Sequence, residues 1–289
     1  MFFFTMSEWN CQKVWRKRPH SHVWLVENQE GERGYFKFAT QRQWFHAGPM
    51  IVNEFVAAYL AKHLGFPVAD MEPATIMSPT GKIRHGFVSV RANAERVVRW
   101  DKAHPKVRRS PERYVNHLDL LRQLVVFDAW ILNTDRAGRN LILYRDHDSS
   151  KYNWYLIDHG HSLYGPAKRW KQYPWNHPHW RRARRFFYYS GGYPRLTVTK
   201  SDLEPMIAKI EQLDSSVIDE ALDTVPEEYL SPSIRSFIRD LLLYRQKRIR
   251  HMMLRWLRYK KKIALRKRKA KSAEPALPNK SLTEKKSPS

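Results

Sequence analysis

The chain reads as an α+β protein of two lobes, a small strand-rich lobe with one helix and a larger, mainly helical lobe. Three observations predict this. Residues 9–39 alternate apolar and polar in strand fashion, and residues 71–92 do so again. Between them, residues 50–64 (MIVNEFVAAYLAKHL) are apolar round most of a helical circumference, as a buried helix would be. Beyond residue 110 the periodicity becomes helical, interrupted by one pair of short strands, LILYR and YNWYLID.

At 289 residues, 42% of them apolar, the chain is long enough to bury a sizeable core in two lobes. A formal charge of +24 points to polyanionic partners, whether nucleic acid, anionic lipid or nucleotide phosphates, and says little about fold. Cys11 stands alone, which excludes an internal disulfide and a cysteine zinc cluster and makes a reducing compartment the default. The opening MFFFTM is too short for a signal peptide, and no run approaches the ~18 apolar residues that a membrane span requires. A soluble, cytoplasmic protein is expected.

The small lobe is expected over residues 1–93. Strands WNCQKVWRK, HVWLVEN and YFKFA come first, the last two joined by a turn over residues 29–34. In YFKFA, Phe36 and Phe38 share one face and Tyr35, Lys37 and Ala39 the other. Lys37 is then a lone cation in an apolar strand, either snorkelling from an edge or held by a partner. Gly48-Pro49 opens the helix and Gly65-Phe66-Pro67 closes it. Within it, Glu54 sits among Met50, Ala57, Ala58 and Ala61. A carboxylate there either lies at a solvent seam near the helix start or needs a cation, and Lys37 on the preceding strand is the nearest in sequence. Two more strands, EPATIMS and KIRHGFVSVRA, flank the turn at Pro79-Thr80-Gly81. Ser89, Val90 and Arg91 are placed to offer backbone groups to an adenine edge.

Residues 94–111, polar and basic, are expected to connect the lobes, and the larger lobe to run over 94–259. Ser110-Pro111 starts a core helix, ERYVNHLDLLRQLVVFDAWILN, that ends at Asn133. The turn that follows carries Asp135 and Asn140, and the strand pair then returns to Asp158, with Gly160 expected to take positive φ just after it. Three oxygen-bearing side chains on two neighbouring turns suit a hard divalent cation and a hydroxyl nucleophile. Residues 168–185 mix Lys and Arg with Trp and Tyr, suited to gripping an anionic partner or to packing on the lobe as a loop. Helices follow, the final one long and amphipathic. Fourteen Lys or Arg and no acidic residue lie between Arg245 and Lys271, either a solvated helix end or a polyanion-binding run. Residues 260–289 are expected to be a tail, first basic and then, over the last ~18 residues, disordered in composition.

In order, the chain offers a strand lysine, a helix glutamate, Asp-x4-Asn and Asp-His-Gly, at spacings of 17, 81, 5 and 18 residues. Phosphoryl transfer needs such a set, with a cation at the phosphates, a group holding it, an aspartate facing the attacking hydroxyl and two ligands for Mg²⁺. Each match alone is common, but the ordered set is not. NEFVAAYLAKHLGFPVADMEP, FDAWILNTDRAGRN and LIDHG resemble the corresponding segments of the HipA-like kinases, a bacterial branch of the protein-kinase-like fold. The resemblance is clear over roughly residues 10–160. It implies a bilobal protein-kinase-like fold, ATP and Mg²⁺ as cofactors, and transfer to a hydroxyl, with protein Ser/Thr foremost. It makes Lys37 the phosphate-binding lysine, Glu54 its ion-pair partner, Asp135 the catalytic aspartate, and Asn140 and Asp158 the Mg²⁺ ligands.

Two departures stand out. The family often reads Asp-Arg-His in this loop, where Asp135-Arg136 is here followed by Ala137. The expected loop over the phosphates, residues 16–22, is glycine-poor, so Ser21 and basic side chains would take over its contacts. The missing histidine, with the charge, leaves open a second class, a weakly catalytic kinase-like module that binds nucleic acid or another polyanion.

Overall fold

The structure, a computed structural model, describes residues 8–18, 21–165, 196 and 198–272. The alternating segments of the N-terminal third pair into an antiparallel five-stranded sheet. Strands β1 (Asn10–Arg18), β2 (Ser21–Glu27) and β3 (Arg33–Phe38) run consecutively. After helices α1 (Gln41–Ala47) and α2 (Met50–His63), strands β4 (Met71–Met77) and β5 (Ile83–Val90) complete the order β1-β2-β3-β5-β4. One face of this sheet buries Trp24, Phe36, Phe38, Ile76 and Val88 with Trp9 as a small aromatic core, the strand period of two at work. The other face carries Tyr35 and Lys37, and Lys37 reaches α2.

Helix α2 is buried on almost every side, as its unbroken apolar sequence dictates, with Phe55 packed edge-on to Phe87 of β5. It joins the main core of the molecule rather than the core of its own sheet. The short helix α1 before it was not legible from periodicity. Thr40 caps it by accepting the Gln43 N–H.

Residues expected to form only a connection contain more structure. Strand β6 (Arg96–Arg99) pairs with β7 (Leu141–Arg145), which pairs with β8 (Asn153–Leu156), forming a three-stranded sheet. Helix α3 (Pro105–Arg109) follows β6, and the helix predicted from Ser110 is broken into α4 (Pro111–Tyr114) and α5 (Leu118–Trp130). The break has a cause. Val115 leaves the helix to bridge Tyr152, Asn116 donates its N–H to the Tyr152 carbonyl, and His117 turns the chain at φ 53°.

The C-terminal helices are α6 (Lys200–Glu211), α7 (Ser215–Asp223), α8 (Pro232–Gln246) and α9 (Ile249–Ser272). A capping box at Thr199 and Asp202 opens α6, and α7 packs on α2, where Tyr59 donates to Glu220 at 2.6 Å. The single long helix expected beyond residue 232 is two, separated by a turn at Lys247 and Arg248. Helix α9 passes the boundary expected at residue 259, in keeping with the high helix propensity of Lys, Arg and Ala. The basic-aromatic segment 168–185 and the tail beyond residue 272 lie outside the described residues. Among the described residues, no helix is long and apolar enough to cross a membrane.

Candidate active site

Strand β3 delivers Lys37 to the sheet face above α2, its ammonium 5.8 Å from the centre of the Phe87 ring on β5. Gly86 lies beside it for want of room, since a Cβ there would meet the Lys37 carbonyl oxygen at 2.1 Å. From α2, Glu54 reaches Lys37 with Oε1 2.7 Å from Nζ, while its Oε2 accepts the backbone N–H of His159 at 2.7 Å. Asp158 Oδ1 stands 3.3 Å from the same ammonium. One buried carboxylate therefore links the first sheet to the turn at residues 158–160. Neighbouring Asn53 strengthens the link by donating to the Gly160 carbonyl at 2.9 Å.

The positive φ expected at Gly160 falls instead on Asp158, at 63°. Gly160 is required for proximity, because a Cβ there would sit 2.6 Å from Met50 Cγ of α2. The left-handed turn at Asp158 sends its side chain back toward Lys37 while His159 N–H points into Glu54. The residue in this conformation is one of the few non-glycine types that tolerate it.

The second turn is built on the end of α5. Arg245 of α8, fully buried, donates its guanidinium to the carbonyls of Ala129 and Trp130 in the last turn of the helix. Asn133 then accepts the Asp135 N–H at 3.1 Å and donates to Asp128 at 3.0 Å. Arg136, buried as deeply as Asp128, pairs with it at 3.0 Å and also donates to the Ile157 carbonyl at 3.2 Å. A single side chain thus ties α5, the loop and the strand leading to Asp158. Asn140 donates its amide N–H to the Asp135 carbonyl at 2.9 Å, and its own carbonyl accepts the Ile157 N–H at 3.2 Å. Arg139 donates one nitrogen to both oxygens of Asp135, at 2.6 and 2.7 Å.

Lys37, Glu54 and Asp158 are therefore in direct contact, and Asp135 and Asn140 are held on the adjoining turn. Sequence reasoning missed Arg136, Arg139 and Arg245. Arg139 had a local signal, a cation four residues after Asp135, whereas the other two had none.

Electrostatics keep Lys37 and Glu54 ionised. Burial alone would pull the Lys37 ammonium down, but the Asp158 and Glu54 carboxylates outweigh it and hold its pKa above the ordinary lysine range. Burial likewise opposes ionisation of Glu54, yet Lys37 and the His159 N–H bring it well below the usual carboxylate range. Burial lowers His159, opposed in part by Glu54, so its ring stays neutral. Arg139 is raised by its bonds to Asp135.

Beside this cluster lies a cleft of about 250 Å³, lined by Tyr35, Ser89, Val90, Arg91, Ile142 and Tyr155, with Ile157 at its edge. Tyr35 is two residues from Lys37 and Ile157 adjoins Asp158. The N–H groups of Val90 and Arg91 are already donated, to Asp70 and Arg33, and that of Ala92 to the Tyr155 hydroxyl. Ser21 opens β2 opposite Arg18, and its side chain lies outside what is described. Among the described residues no cluster of three His, Cys, Asp or Glu could enclose a metal. A cation at Asn140 and Asp158 would need further oxygen ligands from a substrate or water.

Comparison with known proteins places the chain among kinase folds. The model of the HipA-like kinase family matches residues 45–174. Among solved structures, the Helicobacter pylori proinflammatory kinase CtkA is similar with a TM-score of 0.56 at 15% identity, covering 89% of this chain and 97% of its own. Shewanella oneidensis MR-1 HipA, solved with HipB and operator DNA, gives 0.44 at 13% identity over 86% of this chain and 66% of its own. Chaetomium thermophilum Rio2 kinase, solved as an ADP/Mg²⁺-phosphoaspartate complex, gives 0.36 at 14% over 82% and 72%. No curated protein matches the chain. The matched segment carries Glu54, Asp135, Asn140 and Asp158, and Lys37 reaches it across the sheet. Residues 45–174 are thus similar to the HipA-like kinases, in a chain whose fold is that of a kinase.

Proposed function

We propose that the chain is an ATP- and Mg²⁺-dependent kinase that passes the γ-phosphoryl group to a hydroxyl, with protein serine or threonine as the acceptor. The observation that carries this is the convergence of Lys37, Glu54 and Asp158 from a strand, a helix and a distant turn. The pairing brings a desolvated ammonium to a carboxylate on the lip of the cleft. Mg²⁺-ATP, when bound, supplies the electrophilic phosphorus and the countercharge on its oxygens.

Lys37 would meet the phosphates, held in place by Glu54. Asn140 and Asp158 would hold a magnesium ion, with phosphate and water supplying the remaining oxygens it needs. The cleft beside Tyr35 and Tyr155 would take the base, with Ser89, Val90 and Arg91 along its rim. Because the Val90 and Arg91 N–H groups are engaged, these residues would offer carbonyls rather than donors to the base edge. Asp135 would accept the hydrogen bond of the attacking hydroxyl. For that, Arg139 must release the carboxylate, and the freed guanidinium would stand within reach of the transferring group. It offers a cation from position 139 where Ala137 offers none. Positioning and fixed charge, not covalent chemistry, would supply most of the rate.

The test is incubation with labelled ATP and Mg²⁺, following transfer to the chain itself or to protein from a cell extract. Signal is expected for the wild type and not for Asp158→Ala. Asp135→Asn should lose at least ~100-fold in turnover, about 2.7 kcal/mol, with ATP affinity nearly unchanged. Unchanged turnover in that variant removes Asp135 from the role.

A further inference from the structure

We propose that the distal half of α9 is a docking surface for double-stranded nucleic acid. The helix has two halves of opposite character. Met252, Met253 and Trp256 are buried in the main core, against α5 and α6, whereas every residue from Arg258 to Arg266 is exposed except the half-buried Ile263. Arg258, Lys260, Lys261, Lys262 and Arg266 therefore stand in solvent. The sequence continues with Lys267, Arg268, Lys269 and Lys271, and no acidic residue occurs within α9.

The basic run is not uniform, and the fold selects which part is available. Arg245 is consumed by the end of α5, Arg250 is paired with Glu204 and Glu211, and Arg248 lies over the Tyr244 ring. Lys260 leans on Trp256 at 5.6 Å and still remains exposed. What is left is a contiguous cationic segment on a projecting helix.

That charge does not serve the helix. Arg258 faces Lys261 and Lys262 at three and four residues, and Lys262 faces Arg266, all like charges that oppose helix formation. The countercharge is external. Its form follows from the angular distribution. At ~100° per residue, the cations from Arg258 to Arg266 occupy about two thirds of the circumference, leaving one stripe of about 120° whose residues are Tyr259 and Ile263. A helix lying in a lipid headgroup layer needs a broad apolar face opposite its cations, which this half lacks. A helix cationic on most sides matches instead a duplex groove, where phosphates flank it on both sides. The exposed length from Arg258 to Arg266 is roughly 13 Å, short of one ~34 Å duplex turn. The proposed contacts are to phosphates and are independent of base sequence.

The experiment uses the full chain and a variant carrying Lys260→Gln, Lys261→Gln, Lys262→Gln and Arg266→Gln. These side chains are exposed, so the thermal midpoint should match the wild type, and Lys260→Arg with Lys262→Arg serves as a charge-preserving control. Affinity for labelled 20-base-pair DNA and RNA duplexes is read by anisotropy between 50 and 200 mM salt. The wild type should bind one or both, with a log–log slope of about −3 or steeper, as three to four phosphate contacts require. The neutral variant should lose about 2–4 from the magnitude of that slope and at least ~10-fold in affinity, and the arginine control should lose neither. Indistinguishable slopes for wild type and neutral variant, or no duplex binding at 50 mM salt, would overturn the proposal. So would retention on phosphatidylserine vesicles that excess duplex does not displace. None of these readouts depends on catalysis, so the phosphoryl-transfer assignment stands or falls separately.

Discussion

Removing Lys37 should harm this protein more than removing Glu54, and removing both should harm it less than removing Lys37 alone. The structure sets the asymmetry. Glu54 has 2% of its side chain exposed, and besides Lys37 it accepts the His159 N–H. Lys37→Met therefore strands a buried carboxylate, which costs about 3–5 kcal/mol. Glu54→Gln leaves Lys37 beside Asp158 at 3.3 Å, so the loss is that of one charge-assisted bond, about 1–3 kcal/mol. Adding Glu54→Gln to Lys37→Met deletes the stranded charge and should return roughly 1–3 kcal/mol. Urea unfolding followed by tryptophan fluorescence at pH 7 reads all four proteins. With a slope of about 3 kcal/mol/M, Lys37→Met should move the midpoint down by about 1–1.7 M. A double variant less stable than Lys37→Met, or a Glu54→Gln variant less stable than either, would refute the argument.

Acid should expose the same pair. The Glu54 carboxyl is depressed in the folded state, so its contribution is complete above its unfolded pKa and is lost as pH falls through the folded value. The stability gap between wild type and Glu54→Gln should hold constant from about pH 5 to 9, then narrow by about 1.4 kcal/mol per pH unit below ~4.3. Lys37, raised, should keep its contribution until pH climbs beyond ~10.4, which the same titration checks at its alkaline end. Gly86→Ala must push β3 away from β5 at the Lys37 carbonyl, costing about 1–3 kcal/mol in thermal unfolding and weakening the binding of a fluorescent nucleotide. Arg245→Met leaves the Ala129 and Trp130 carbonyls without their buried donor and should lower stability by about 1–3 kcal/mol, measured by the same urea titration.

What could be read from residues alone was whatever a local period isolates. Lys37 and Glu54 stood out because periods of 2 and 3.6 set each as a charge among apolar neighbours, and the structure pairs them. Phe36 and Phe38 share a face for the same reason. Contacts distant in sequence left no such mark. Apolar periodicity runs unbroken from Tyr114 into α5, and nothing in it shows that Val115 will leave the helix for Tyr152. Strand β6 hides in four residues, Arg96–Arg99, that read as a basic connection. Arg136 looked like any loop arginine. Only the packing of Asp128 beneath it makes it the deepest ion pair of the site. The positive φ was placed at Gly160 because glycine is the usual occupant, but the demand at that position is for space.

Arg245 ties the order of assembly to the order of the chain. The helix that presents Asp135 ends on carbonyls whose donor arrives more than a hundred residues later, from α8. During synthesis, strands and α5 can form while that end is still open to water, and the loop above it gains its floor only once α8 docks. Fixing of the Asp135 turn should thus be a late event in the life of the nascent polypeptide. Fragments that stop short of α8 should hold the Asp135 turn slackly, whatever the state of their sheet.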